Sequence, residues 1–175
     1  LFLLFLPVSL QMMRYYQKER VIAFIDPSKD PLGAGYNSLQ SMVSVGSGGV
    51  FGRGLGKGVQ TQLAFLPEKH TDFIFAAVAE EMGFVGASVV LVLTAALFFK
   101  LIKIMENSKN PTARTFMAGF FLTLLAQVFI HIGMNVGLLP ITGIPYPLLS
   151  AGGSSLMATS ASLGLAVSTK KKDAS

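Results

Sequence analysis

Apolar residues in this chain gather into four blocks, parted by polar, glycine-rich or basic stretches. The first, residues 1–13, is too short to span a membrane alone, because about 20 residues are needed. It reads as a transmembrane segment cut part-way, in a fragment of a longer protein. Residues 73–99 form the second block, with Glu80 and Glu81 as its only charged side chains. Residues 115–139 and 148–167 carry no Asp, Glu, Lys or Arg. Each of the last three blocks can cross a bilayer as a helix, the form that satisfies its own backbone. The pattern predicts an all-α polytopic membrane protein, a bundle fragment of about four transmembrane helices with the first truncated. Residues 14–72 form a long loop in this reading.

The loop has its own pattern. Asn37–Val45 places Leu39, Met42 and Val43 among Gln40, Ser41 and Ser44. That spacing predicts a short amphipathic helix, lying on the membrane or docked on the bundle. Residues 46–58 then hold seven glycines in thirteen positions. The stretch is no P-loop, since Lys57 precedes Gly58 rather than Ser or Thr. Its amides could still cradle an anion beside Arg53 and Lys57, or the loop could be a gate or a set of tight turns.

Composition supports the membrane reading. The chain is 51% hydrophobic and 13% charged, against about 25% charged in soluble domains. It has no cysteine, which excludes disulfides and thiolate metal sites. A net charge of +5 raises the question of nucleic acid. The cations argue against it: Lys100, Lys103, Lys109, Arg114 and Lys170–Lys172 flank apolar blocks, and no basic stripe interleaves with aromatics. Basic flanks mark cytoplasmic ends. They put the 100–114 connection and the C-terminus inside, and residues 14–72 and 140–147 outside. Seven basic residues then lie in the outer loop, among them Arg53, Lys57 and Lys69. They are either solvated charge drawn to anionic headgroups or a site for an anionic substrate.

Candidate chemistry gathers where the loop meets the second block. Asp72 and Glu80 fall on roughly one face of a helix beginning near Asp72, with Glu81 about 100° away. Thr71 or Asp72 could cap that helix. Alternatively, Asp72 is a carboxylate at the outer mouth of a bundle, able to accept a proton. Gln127, His131 and Asn135 recur at four-residue spacing as a polar stripe. Such a stripe bonds neighbouring helices or walls a polar cavity. Ser150, Ser154, Ser160 and Gly164 suit close packing of the last helix inside the bundle.

Several stretches together resemble the SEDS family (shape, elongation, division and sporulation). They are Pro67–Phe75 running into Glu80–Gly86, Asn135–Pro145, and Ser150–Ser155. Asp26-Pro27, Gln40-Ser41 and the glycines around Arg53 also fit, and the likeness is closest to the rod-shape-determining branch. Tyr146 and Ala151 depart from the family pattern, where an aliphatic residue and a tyrosine are common. The resemblance implies a peptidoglycan glycosyltransferase of the bacterial cytoplasmic membrane, acting on its outer face during elongation. Its substrates would be lipid II and an undecaprenyl-diphosphate-linked glycan, its partner a class B penicillin-binding protein. It places the essential aspartate at Asp72, as general base or as ligand of Mg²⁺ or Mn²⁺. Arg53, Lys57, Lys69, His70, Glu80, Asn135 and Ser150 are then candidates for substrate binding. The rival readings are a flippase for the same lipid and a non-catalytic scaffold for the synthase. This fragment is expected to be inactive alone.

Overall fold

The computed structural model describes residues 15–26, 30, 33–62 and 70–173, with backbone alone for 15–19 and 169–173. The expected partial span at 1–13 and the candidate Lys69 lie outside the described residues. Those described form six helices and no strand: α1 (Tyr15–Ile25), α2 (Ala34–Ser47), α3 (Val59–Gln62), α4 (Ile74–Asn107), α5 (Pro111–Asn135) and α6 (Gly153–Asp173).

Helices α4 and α5 are long and apolar enough to cross a membrane, by length and composition. They form a hairpin closed by residues 108–110. The expected connection over 100–114 is therefore much shorter. Lys100 and Lys103 ride on α4 instead, Lys103 with its Nζ 4.6 Å from the Phe99 ring centre. The turn into α5 is specified locally. Asn110 accepts a hydrogen bond from the Thr112 amide at its N-cap, and Pro111 supplies a φ already suited to the first helical position. The other end of α5 stops just as sharply. Gly137 adopts a φ of 75°. The Leu138 and Gly137 amides fold back onto the carbonyls of Gly133 and Met134. This double closure takes up carbonyls the helix cannot use itself.

The core is a narrow seam. One cluster joins Phe75, Ala79, Ala87, Val128 and Tyr146. A second, at the opposite end of the hairpin, joins Leu101, Ala113, Met117, Leu124 and Ala166. Outside it, Val92, Leu93, Leu122 and Phe129 are exposed, as bilayer-facing side chains would be. The third expected span, 148–167, is helical from Gly153 onward, because residues 146–150 turn sharply with Leu148 at a φ of 62°. Nor is α6 packed on its small residues: Ser160 and Gly164 are exposed, while Thr159 and Ala166 are buried.

Helix α2 covers Asn37–Val45 as expected, and its small and polar side turns inward. Its buried residues are Gly35, Ser38, Ser41 and Ser44, while Leu39 and Val43 are exposed. Small side chains at three-residue intervals let the backbones approach closely, and hydroxyls there can reach backbone acceptors. Helix α2 lies against α1, α4 and α5.

Helix α4 is broken where the sequence reads as continuous. Gly83 has φ 67° and ψ −162°, far from helical values. At such a break the amides of Phe84 and Val85 lose their normal acceptors, the carbonyls of Glu80 and Glu81. The glycine-rich loop supplies both halves of the exchange. Phe84 and Val85 donate to the carbonyls of Gly49 (2.9 Å) and Val50 (3.1 Å). Arg53 and Gly54 donate to the carbonyls of Glu80 and Glu81, each at 3.0 Å. The approach is too close for side chains. A Cβ on Gly48 would stand 1.8 Å from the Ala79 carbonyl oxygen, one on Gly52 2.2 Å from that of Glu81, and one on Gly83 2.2 Å from the Gly52 nitrogen.

Replacing Gly83 with Ala should therefore destabilise the full chain by more than about 2 kcal/mol, from left-handed strain and collision together. Gly46→Ala, where a Cβ meets nothing within 4 Å, should be neutral or stabilising by up to about 1 kcal/mol. Thermal unfolding of the purified variants in detergent measures both.

Candidate active site

The residues just before α4 form a turn whose backbone is fixed from the far side of the chain. Three successive carbonyls are each claimed by a different donor. His70 C=O accepts from the Ala151 amide at 2.9 Å. Thr71 C=O accepts from Ser150 Oγ at 2.8 Å. Asp72 C=O accepts from Asn135 Nδ2 at 3.0 Å. Ser150 is itself held, because its Oγ accepts from the Tyr146 amide at 2.8 Å.

Asn135 is the hub of this arrangement. Its side chain is fully buried. Besides Asp72, Nδ2 donates to the His131 carbonyl at 2.8 Å. Oδ1 accepts from the Ala76 amide at 3.1 Å and the Ser41 hydroxyl at 3.4 Å, and that hydroxyl also donates to the Asn135 carbonyl at 2.9 Å. One carboxamide thus ties α2, α4, α5 and the turn together, with both donors and its acceptor satisfied. A buried amide left partly unpaired would cost about 1–3 kcal/mol.

Asn135 also replaces the cap that the sequence suggested. Phe73 occupies the N-cap of α4 and makes no side-chain capping bond. Neither Thr71 nor Asp72 caps the helix; the Ala76 amide they might have served is taken by Asn135. The Asp72 carboxylate is left available. It is half-buried, it has no hydrogen-bond partner among the described residues, and its Oδ2 faces Gly143, where a Cβ would come within 3.4 Å. Asp72 and Glu80 do not share an open face either. Glu80 is fully buried. Its Oε1 accepts from the Gln60 amide at 2.8 Å and Oε2 from the Thr61 amide at 3.1 Å. The first turn of α3 thereby finds its acceptor, and the glycine loop is closed against α4.

The other candidates separate by exposure. Arg53 and Lys57 are exposed on the loop. His70 is exposed and lines a cleft of about 230 Å³ with Glu81, Thr61, Gln62, Leu55 and Met82. Asn135 and Ser150 hold backbone rather than face open space. His131 is buried, and its Nδ1 lies 2.8 Å from the Ile144 carbonyl. A carbonyl can only accept, so Nδ1 carries the proton. The ring meets Tyr146 edge-on at 5.3 Å.

Tyr146, one of the two departures from the family pattern, is buried and shares a 2.8 Å hydrogen bond with Thr94. Burial pushes its phenol above the usual range, and the bond to Thr94 partly offsets this. Its hydroxyl therefore stays protonated at neutral pH. The other departure, Ala151, contributes its amide, which any residue but proline could do. Sequence reasoning missed Ser41 as a site element, although Gly35, Ser38, Ser41 and Ser44 at three-residue intervals were a usable signal. It also missed Arg20, whose Nη1 donates to the Ile141 carbonyl at 3.1 Å.

Ser150→Ala removes the donor to Thr71 and the acceptor of the Tyr146 amide. It should cost about 1–3 kcal/mol in unfolding free energy. Exposed Ser154→Ala should cost under about 0.5 kcal/mol. Denaturation of the two variants in matched detergent is the comparison.

Known proteins share this sequence and arrangement. The family model FTSW_RODA_SPOVE, described as cell cycle protein, matches residues 1–174. "Peptidoglycan glycosyltransferase MrdB" of Escherichia coli (strain K12) is 45% identical over 157 residues, which are 90% of this chain and 42% of the relative. "Peptidoglycan glycosyltransferase RodA" of Treponema pallidum (strain Nichols) is 40% identical over 161 residues, 92% of this chain and 37% of the relative. "Stage V sporulation protein E" of Bacillus subtilis (strain 168) is 41% identical over 149 residues, covering 85% and 40%. A solved structure described as "Structural coordination of polymerization and crosslinking by a peptidoglycan synthase complex" superposes with a TM-score of 0.71 at 36% identity, covering 92% of this chain and 43% of that one. The chain thus spans less than half the length of these relatives.

Proposed function

Because the chain belongs to the FtsW/RodA/SpoVE family of cell cycle proteins, we propose that it is part of a peptidoglycan polymerase of the elongation type. In this reading the enzyme sits in the bacterial cytoplasmic membrane, with the Asp72 end outside and the C-terminus inside. It transfers a lipid-linked glycan strand onto lipid II and works beside a class B penicillin-binding protein. The observation that carries the reading is the Asp72 turn. Three backbone carbonyls are fixed there, and the carboxylate remains uncommitted among the described residues.

That arrangement suits a general base. Asp72 takes the proton from a sugar hydroxyl of the acceptor. The freed oxygen bonds to the anomeric carbon of the donor strand as the bond from that carbon to the diphosphate oxygen breaks. Undecaprenyl diphosphate leaves with the electron pair. General-base help is typically worth about 10²–10⁴-fold. The leaving diphosphate needs cations as well. The Arg53 amide is bonded to Glu80, roughly 9–12 Å along α4 from the Asp72 turn at 1.5 Å per residue. Arg53 and Lys57 are exposed cations on the loop bonded to that helix, and are candidates for holding the diphosphate. Lys69 and His70 are further candidates from the sequence.

A divalent ion fits this site in a limited way. Among the described residues no three His, Cys, Asp or Glu side chains converge on one point. Asp72 offers a single carboxylate, which Mg²⁺ or Mn²⁺ accepts as one ligand among waters and phosphate oxygens. Such an ion would neutralise diphosphate charge, and no step above is routed through it.

The test is polymerisation by the full-length protein with its penicillin-binding partner and labelled lipid II. Asp72→Asn should reduce polymer by at least about 10²-fold while leaving the unfolding temperature unchanged. A flippase would instead move lipid across sealed vesicles without polymer, and would survive the substitution. Wild-type protein doing neither would indicate a scaffold.

A further inference from the structure

The glycine loop presents an apolar tip to its surroundings. Phe51 is 84% exposed, Leu55 75% and Val50 59%. Residues 48–58 contain no acid, while Arg53 and Lys57 in the same stretch are both exposed. Side chains of this kind on a soluble loop would invite aggregation, so their level relative to the bilayer matters.

Helix α4 gives that level. Beyond its break at Gly83, α4 runs on from Phe84 to Asn107. The uncharged run between Glu81 and Lys100 is 18 residues, or about 27 Å, close to the ~30 Å hydrocarbon core. Lys100 and Lys103 then reach the headgroups at one boundary. The other boundary falls at Gly83, where α4 breaks and the loop enters. Phe51 belongs to that level, because a Cβ on Gly83 would come 2.7 Å from the Phe51 carbonyl carbon. Its neighbour Val50 bonds the Val85 amide. Phe84 and Val85, 70% and 47% exposed, continue the apolar surface from the loop tip down α4.

We propose that the tip of the glycine loop is a membrane anchor, with Phe51 and Leu55 inserted among the acyl chains of the adjoining leaflet. Arg53 and Lys57 then lie at the level of the phosphates. The occupant of the surface is lipid because the patch continues a bilayer-facing helix and carries cations without acids. This anchor is independent of the polymerase reading, since a flippase or a scaffold could carry it equally.

Photo-crosslinking of the full chain in native membranes tests it. p-Benzoylphenylalanine is placed singly at Phe51, Leu55, Phe84 and His70, and adducts are identified by mass spectrometry. Probes at 51 and 55 should give phospholipid adducts at a yield within about threefold of the bilayer-facing probe at 84, and at least about tenfold above the probe at 70. Adducts at 51 and 55 to a partner protein, or to another part of the same polypeptide, would overturn the proposal. So would lipid adducts at 84 without any at 51 or 55. The two loop probes guard against one replacement disturbing the fold, which thermal unfolding reports separately.

Discussion

The structure depends on an exchange of backbone hydrogen bonds at Gly83. A helix crossing a membrane must satisfy its amides and carbonyls internally, because lipid offers no partner. Helix α4 gives up that closure where Phe84 and Val85 lose contact with the preceding turn. The break is tolerable because a loop distant in sequence fills it from both sides. Its carbonyls take the helix amides, and its amides take the helix carbonyls. The cross-contact requires glycine on both partners, at Gly48 and Gly52 in the loop and at Gly83 in the helix. A composition that first suggests flexibility here serves contact so close that a methyl group would collide. The loop is a wedge built into the helix, and Glu80 secures its far side by accepting the Gln60 and Thr61 amides.

The same economy governs the Asp72 turn. Placing a carboxylate without engaging it needs a rigid backbone beneath it and freedom for the carboxylate itself. Asn135, Ser150 and the Ala151 amide provide the first by occupying carbonyls rather than the acid. Asn135 provides the second by capping α4 in place of the nearest side chain. Residues that read as candidates for touching substrate thus hold the frame from behind. A buried asparagine is well suited to this, because a single planar group offers two donors and an acceptor to groups on three elements. The partially unwound segment around Pro140 and Pro147 matters for the same reason. Its turn at Tyr146–Ser150 delivers the Ser150 hydroxyl and Ala151 amide to the carbonyls of Thr71 and His70.

Both features lie at one end of the α4–α5 hairpin, where Asn135 at the end of α5 meets the Asp72 turn and the glycine loop meets the Gly83 break. The break at Gly83 lets the segment bearing Asp72 return to the bundle, where the Thr71 carbonyl is linked through Ser150 and Tyr146 to Thr94.

Much of this was legible in the sequence. Uncharged blocks of 20 or more residues determined a helical membrane protein, because hydrocarbon tolerates no unsatisfied backbone. The short helix over Asn37–Val45, the carboxylate at Asp72 and the family likeness were equally readable, since each rests on local spacing or on a run of neighbouring residues. What stayed hidden was every feature that requires two distant segments to meet. Hydropathy passes through Gly83 without a signal, because a glycine in an apolar run is unremarkable until a second backbone arrives beside it. Which face of α2 turns inward was left open by its periodicity, and packing decided it: the serines face the bundle, while Leu39 and Val43 are exposed. The roles of Glu80, Asn135 and Ser150 were likewise decided by tertiary structure, because a polar group's function depends on whether its partner is substrate or backbone, and sequence spacing does not say which one stands within 3 Å.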